Sequence, residues 1–364
     1  MGRAVMGKRG SIVGGVWGLW VLSGVLALGM LAGCGTQETP PPEDTAGTES
    51  TTPQASAEAV LPEPDHVLTR EQTHNRFSRA IPPVLRVEPG AVVQVDTEEA
   101  TDGQFGTGSE AEAVAHLDFD PIHPLTGPIY VEGAKPGDVL AVKLLDIELG
   151  DWGWAAVAPG FGFLADEFTE PYLKTFQFEP GATDVAFNDT IRIPLRPFPG
   201  VLGVAPDTDE MLSTIPPRAN GGNLDDRDII EGTTVYLPVF VEGALFSIGD
   251  AHAAQGDGEV SGTAIEAPMR ILLELDLIQD GRSIPEPQYE RDDLYAVTAF
   301  ATTLDEAAKK ATRYMIDHLE AHHGLSRTEA YVLCSLAGNL KIAEVVDVPH
   351  VLVTMQMPKS VLGH

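Results

Sequence analysis

The stretch Lys135-Pro-Gly-Asp-Val-Leu-Ala-Val-Lys-Leu-Leu-Asp-Ile-Glu-Leu149 decides how the chain is read. Pro136-Gly137-Asp138 is a turn signal, and the apolar run behind it is rich in Val, Leu and Ile, as a strand requires. The same grammar recurs on both sides. Ala91–Thr97 follows Pro89-Gly90, and Thr233–Val241 and Met269–Leu277 are further apolar segments of strand length. Many short strands punctuated by Pro and Gly predict a mainly β fold with an antiparallel sandwich or barrel-like core.

Helices are expected only late. Thr303-Leu-Asp-Glu306 is a capping box opening a helix through about His322, and Gly324 is its stop. Ala307, Ala311, Tyr314, Met315, His318 and Leu319 form its apolar-leaning stripe. Ser326-Arg-Thr-Glu329 opens a second helix that stops at Gly338, and strands at Lys341–Val348 and Val351–Met357 follow. The expected fold is therefore mainly β with a smaller α/β portion and a C-terminal helical pair.

The chain has 364 residues, with 54 Asp and Glu against 23 Lys and Arg, for a net charge of −31. Clustered basic residues of the kind that grip phosphates are missing, which argues against a nucleic-acid partner. A 43% hydrophobic content argues against wholesale disorder. The charge is uneven. Arg3, Lys8 and Arg9 precede an uncharged run from Gly10 to Gly33, the pattern of a secretory signal peptide over residues 1–33. Leu31-Ala32-Gly33-Cys34 resembles a bacterial lipobox, so Cys34 is the expected site of lipidation. The plain alternative is an uncleaved membrane anchor, and either arrangement leaves the remainder outside the cytoplasm.

Residues 34–65, rich in Pro, Thr and Glu, read as a disordered tether to a folded domain over 66–364. The expected location is the cell envelope, in the periplasm or at the cell surface. With Arg3, Lys8 and Arg9 removed, 20 basic residues face 54 acidic ones, a charge of −34. The second cysteine, Cys334, sits in an apolar helical stretch and reads as a core thiol.

The densest polar cluster is Gly249-Asp-Ala-His-Ala-Ala-Gln-Gly-Asp-Gly-Glu259, continuing to Glu266. It follows an apolar strand expected at Ala244–Ile248. Asp250 and His252 are two apart, so on an extended chain they point the same way. One reading is a metal or acid–base site; the other is a loop whose acids serve turns and whose histidine is solvated. Spacing alone leaves both open. Asp102, His123 and the Asn220–Asp226 turn, taken singly, read as turn chemistry. His318 and His322 have i,i+4 spacing but lack the Glu of the metalloprotease pattern, and read as helix-surface residues. No G-x-S-x-G elbow, Walker loop or S-x-x-K arrangement occurs.

These segments together resemble the acetamidase/formamidase family. The resemblance runs through His123-Pro-Leu-Thr-Gly-Pro128, Gly150-Asp-Trp-Gly-Trp154, Pro159-Gly-Phe-Gly162, Gly221-Gly-Asn-Leu-Asp225, Gly249–Glu259, Gly262-Thr-Ala-Ile-Glu266 and Leu333–Gly338. It implies a β-rich core with a small α/β portion. The implied activity is hydrolysis of a short, neutral, linear amide such as formamide or acetamide to ammonia and a carboxylate. It also carries over an expectation of a homo-oligomer. Ser261 stands where many members have Cys, which argues against a cysteine nucleophile there.

With no nucleophile motif, a metal-bound water is the natural attacking group. The expected ligands of a divalent ion, zinc by preference, are Asp102, His123, Asp250 and His252, with Asp225 joining them or orienting a histidine. Glu259 or Glu266 then takes the water's proton and passes it to the amine, with backbone N–H groups of the Gly256–Gly258 turn facing the oxyanion. The competing class is a lipid-tethered binding protein that captures a small ligand without catalysis.

Overall fold

A computed structural model describes residues 61–363. The expected signal peptide, Cys34 and residues 34–60 of the expected tether lie outside the described residues. Asp65, the last residue of that tether, already docks on the fold: its N–H donates to the Val92 carbonyl, and its carboxylate accepts from Val92 N–H at 2.9 Å. Among the described residues, no helix is long and apolar enough to cross a membrane.

Two nine-stranded sheets make the body. In the first, Val139–Leu149 lies between Met269–Ile278 and Thr234–Pro238, antiparallel to both. Ala91–Thr97 pairs with the far side of Met269–Ile278. In the second, the central strand Phe246–Ala254 is flanked by Phe198–Gly203 and by Leu125–Val131, and at its far end by Ile265–Glu266, which leads to Trp152–Val157. Val95, Leu140 and Ile271 from one sheet and Leu202, Phe246 and Ile248 from the other share one buried apolar cluster. The sheets thus face each other as a sandwich, driven by removal of these aliphatic and aromatic side chains from water.

The first sheet continues through Leu294–Ala301, Val351–Pro358 and Asn339–Glu344, and the two helices pack on this extension. The helix Leu304–His323 is capped by the Thr303 side chain, which accepts from Glu306 N–H, and ends at Gly324 with φ of 66°. The helix Arg327–Ala337 has both halves of the Ser326/Glu329 capping box. Ala307, Ala311, Met315 and Leu319 meet Val297, Ala299, Val353 and Met355 in a second core. Cys334 is buried there, and burial raises its thiol pKa. This is the expected α/β portion.

Two strands depart most from the sequence reading. The strand expected at Ala244–Ile248 runs instead over Phe246–Ala254. Ala244 and Leu245 occupy left-handed turn conformations, with φ of 57° and 59°, and so start it late. It continues through Asp250 and His252 because Ala251 and Ala253, which alternate with them, pack into the sandwich core. The strand expected over Lys341–Val348 stops at Glu344. There the Glu344 carboxylate accepts from Val346 and Asp347 N–H groups at 2.9 and 3.0 Å, turning the chain.

The helical layer rests on few large side chains, so truncating one is costly. Met315→Ala, at a fully buried position, is expected to destabilise the protein by about 2–5 kcal/mol in urea unfolding, through lost burial and a residual cavity.

Candidate active site

The 246–254 strand carries Asp250 and His252 across the second sheet, both buried. The backbone is irregular where they sit: the register with Phe198–Gly203 passes over Gly200, and Asp250 has φ of 48°. Asp225 and Glu259 are also left-handed, with φ of 41° and 46°. Such conformations cost about 1–2 kcal/mol per non-glycine residue, and three acidic residues of one cluster adopt them, so the fold holds these carboxylates in place against local preference.

His252 is the hub. Its Nε2 lies 3.0 Å from Glu266 Oε2 and 3.6 Å from Asp250 Oδ2, and its Nδ1 is 3.6 Å from Asp225 Oδ1. The Nδ1 is 2.8 Å from Gln255 Oε1, which accepts its proton, and Gln255 Nε2 donates to the Asp225 carbonyl at 2.7 Å. Phe198 packs edge-on against the ring. His123 approaches from the other side, with Nε2 at 3.5 Å from Asp250 Oδ2. Its N–H is fixed by Thr214 Oγ1 at 2.7 Å.

The electrostatics follow from burial. Burial raises the carboxyl of Glu266; His252 opposes this and Asp250 adds to it, for a value of about 7. Burial also works against charge on Asp250, but His123 and His252 overcome it and hold that carboxyl at about 2. Glu259 is pushed well up by burial and then by Asp225. His252 loses from burial but is held well above the usual imidazole range by Glu266 and Asp250. Behind these lie Asp347, raised by burial and Asp225, and Glu344, raised mainly by burial to about 8. Asn223 Nδ2 donates to Asp347 at 2.7 Å.

The donor chemistry fits a divalent ion. Asp225 with His252 and Glu259, and Asp250 with His252 and Glu266, form two buried groups whose ligand atoms lie within 4.8 Å of one another. Asp225 Oδ1, Asp250 Oδ1, Glu266 Oε2 and His123 Nδ1 are buried without a hydrogen-bond partner. Carboxylate oxygens beside imidazole nitrogen are the ligands zinc takes. Gly200 keeps the floor open: a Cβ there would fall 2.5 Å from Asp225 Oδ1 and 2.7 Å from His252 Cε1.

Above the cluster is a cavity of about 50 Å³. Its polar end is formed by His123, Asn223, Asp225, Asp250, Glu259, Glu266 and Asp347. Its walls are apolar, with Trp154, Phe119, Phe161, Ile122 and Ile215 prominent. Trp154 is fixed by donating to Glu99 Oε2 at 2.7 Å and by an edge-on contact with Phe105.

Of the residues singled out from sequence, His123, Asp225, Asp250, His252, Glu259 and Glu266 converge here. Asp102 does not: it is exposed, on a turn held by Glu99, and does not line the cavity. The Gly256–Gly258 turn also lies off the cavity lining, and the Gly258 N–H is spent on the Ala343 carbonyl at 2.9 Å. Ser261 is exposed, its hydroxyl donating to the Thr263 carbonyl. Glu344 and Asp347 escaped the sequence reading. Two acids inside the otherwise apolar segment Ile342–Val348 were the available sign.

The model of the Acetamidase/Formamidase family matches residues 63–214 and 208–364. The acetamidase of Mycolicibacterium smegmatis is 32% identical over 269 residues, which cover 57% of this chain and 66% of that protein, just under two thirds of its length. The formamidase of Methylophilus methylotrophus is 27% identical over 364 residues, covering 80% of this chain and 89% of that protein. The crystal structure of an acetamidase from Bacillus halodurans superposes with a TM-score of 0.77 at 36% identity, covering 82% of this chain and all of that one (100%).

Gly200 supplies a test of the packing beneath the cluster. Gly200→Ala is expected to lower stability by about 1–3 kcal/mol through overpacking. Gly256→Ala, where an added Cβ meets nothing within 4 Å, is expected to leave the urea midpoint unchanged.

Proposed function

The chain belongs to the acetamidase/formamidase family, and from that premise we propose that it hydrolyses the C–N bond of a short linear amide, releasing ammonia and a carboxylate. The observation that carries this reading is the small cavity with apolar walls and an end built of buried carboxylates and imidazoles. A neutral amide with a small acyl group suits the walls, and its polar head suits the end. An anionic substrate would lose its hydration against the same walls and meet carboxylates at the polar end.

Asp225, Asp250, His252 and His123 would hold a divalent ion, zinc by preference. Bound there, the ion would supply Lewis acidity, making a water more acidic and polarising the amide carbonyl. The chain's own groups handle the rest. Glu266, at about 7, is matched to taking a proton from the attacking water and returning it to the departing nitrogen. Glu259, its carboxyl pushed up by burial and by Asp225, lines the same cavity and would offer a hydrogen-bond donor there. Gln255 fixes the His252 ring by accepting from Nδ1. Trp154, Phe161 and Ile215 exclude bulk water, which strengthens each of these interactions.

Glu266→Gln keeps side-chain volume but removes proton transfer, and is expected to lower kcat for ammonia release from acetamide or formamide by about 10²–10⁴-fold while circular dichroism stays unchanged. Glu259→Gln still offers an N–H donor and is expected to lower kcat by less than about ten-fold. Normal turnover by Glu266→Gln would remove Glu266 from the scheme.

We also propose that the mature protein is tethered to the cell envelope through lipid on Cys34. The support is the basic start, the uncharged run and the Leu31–Cys34 motif. In a bacterial host, metabolic labelling with a fatty acid is expected to mark the full-length chain, and Cys34→Ser to lose the label and leave the membrane fraction.

A further inference from the structure

A second concavity lies at the end of the longer helix and shares no lining residue with the cavity above the acidic cluster. It measures about 410 Å³, and His318, His322 and His323 line it beside Tyr236, Tyr295 and Glu290. The i,i+4 spacing of His318 and His322 puts them one above the other on the helix face. Their ring centroids are 4.7 Å apart, and those of His318 and His323 are 5.6 Å apart.

Two imidazoles that share one ion in tetrahedral or square geometry, with metal–nitrogen bonds of about 2 Å, hold their centroids roughly 5 Å apart. The observed separations are of that size. From this geometry we infer a second metal site, at which His318 and His322 take a divalent transition ion such as Ni²⁺, Cu²⁺ or Zn²⁺.

The surroundings favour this occupant. Tyr295 stacks on His318 at 3.7 Å and 14°, which fixes the first ring. The cations near the cavity are already matched: Arg282 pairs with Asp280 at 3.1 Å and Lys359 with Glu290 at 3.3 Å. The helix ends here, and its C-terminal carbonyls present partial negative charge to a cation. Imidazole ligands select borderline transition ions over magnesium or calcium.

The experiment uses the untagged protein on a Ni²⁺-charged chelating column. His252 is 1% exposed, so the buried cluster cannot reach an immobilised ion, and the column reads surface histidines alone. The wild type is expected to be retained. His322→Gln is expected to elute at a several-fold lower imidazole concentration, and His116→Gln, at an exposed position elsewhere, with the wild type. In solution, calorimetric titration with Ni²⁺ of protein preloaded with a single equivalent of Zn²⁺, enough for the buried cluster alone, is expected to show binding weakened about ten-fold or more in His322→Gln, the loss of one of two chelating ligands. All three proteins should release ammonia from amides equally. Passage of the wild type through the column, or identical elution and affinity for His322→Gln, would overturn the site. Loss of amide hydrolysis in all three would count against the proposed function and leave the metal reading intact.

Discussion

Six carboxylic acids, Asp225, Asp250, Glu259, Glu266, Glu344 and Asp347, are buried around two imidazoles. Among the described residues, none of the six forms an ion pair with Lys or Arg. Taking a carboxylate out of water costs several kcal/mol even after relaxation, and like charges packed together add to that. The negative charge must therefore be offset by bound protons or by a cation. The raised carboxyls of Glu259, Glu266, Glu344 and Asp347 are the proton response. The unpartnered oxygens of Asp225 and Asp250 are available to a cation.

The rest of the structure holds this arrangement in place. The 246–254 strand presents Asp250 and His252 on one face while Ala251 and Ala253 anchor the other in the sandwich core. Left-handed backbone at Asp225, Asp250 and Glu259 places three carboxylates in the two groups that share His252. Gly200 leaves room that any side chain would fill. The apolar walls then divide the cavity into a dry acyl side and a polar reacting side, an arrangement suited to a neutral substrate. The large negative charge of the whole chain works in the same direction, because its field repels anions.

Much of this was legible in the sequence because local chemistry carried it. The turn Pro136-Gly137 and the apolar run behind it gave the strand Val139–Leu149 to the residue. The two capping boxes placed both helices to within a residue. Two-residue spacing put Asp250 and His252 on one side. What escaped depended on the tertiary fold. Asp102 sits in a Gly-rich turn as acidic as the others, and only chain packing leaves it exposed while Asp225 is enclosed. Glu344 and Asp347 come from a segment far along the chain, and their role in the cluster arises because Gly258 pairs with Glu344. No periodicity marks such a long-range bridge.

On the proposed reading, the buried carboxylate–imidazole cluster hydrolyses amides with a divalent ion bound. The most direct measurement is ammonia release from acetamide and formamide by the purified protein before chelation, after removal of metal verified by elemental analysis, and after re-addition of Zn²⁺. The account predicts that turnover falls in proportion to metal removed and returns as the ion is restored. Undiminished turnover by verified metal-free protein would contradict it.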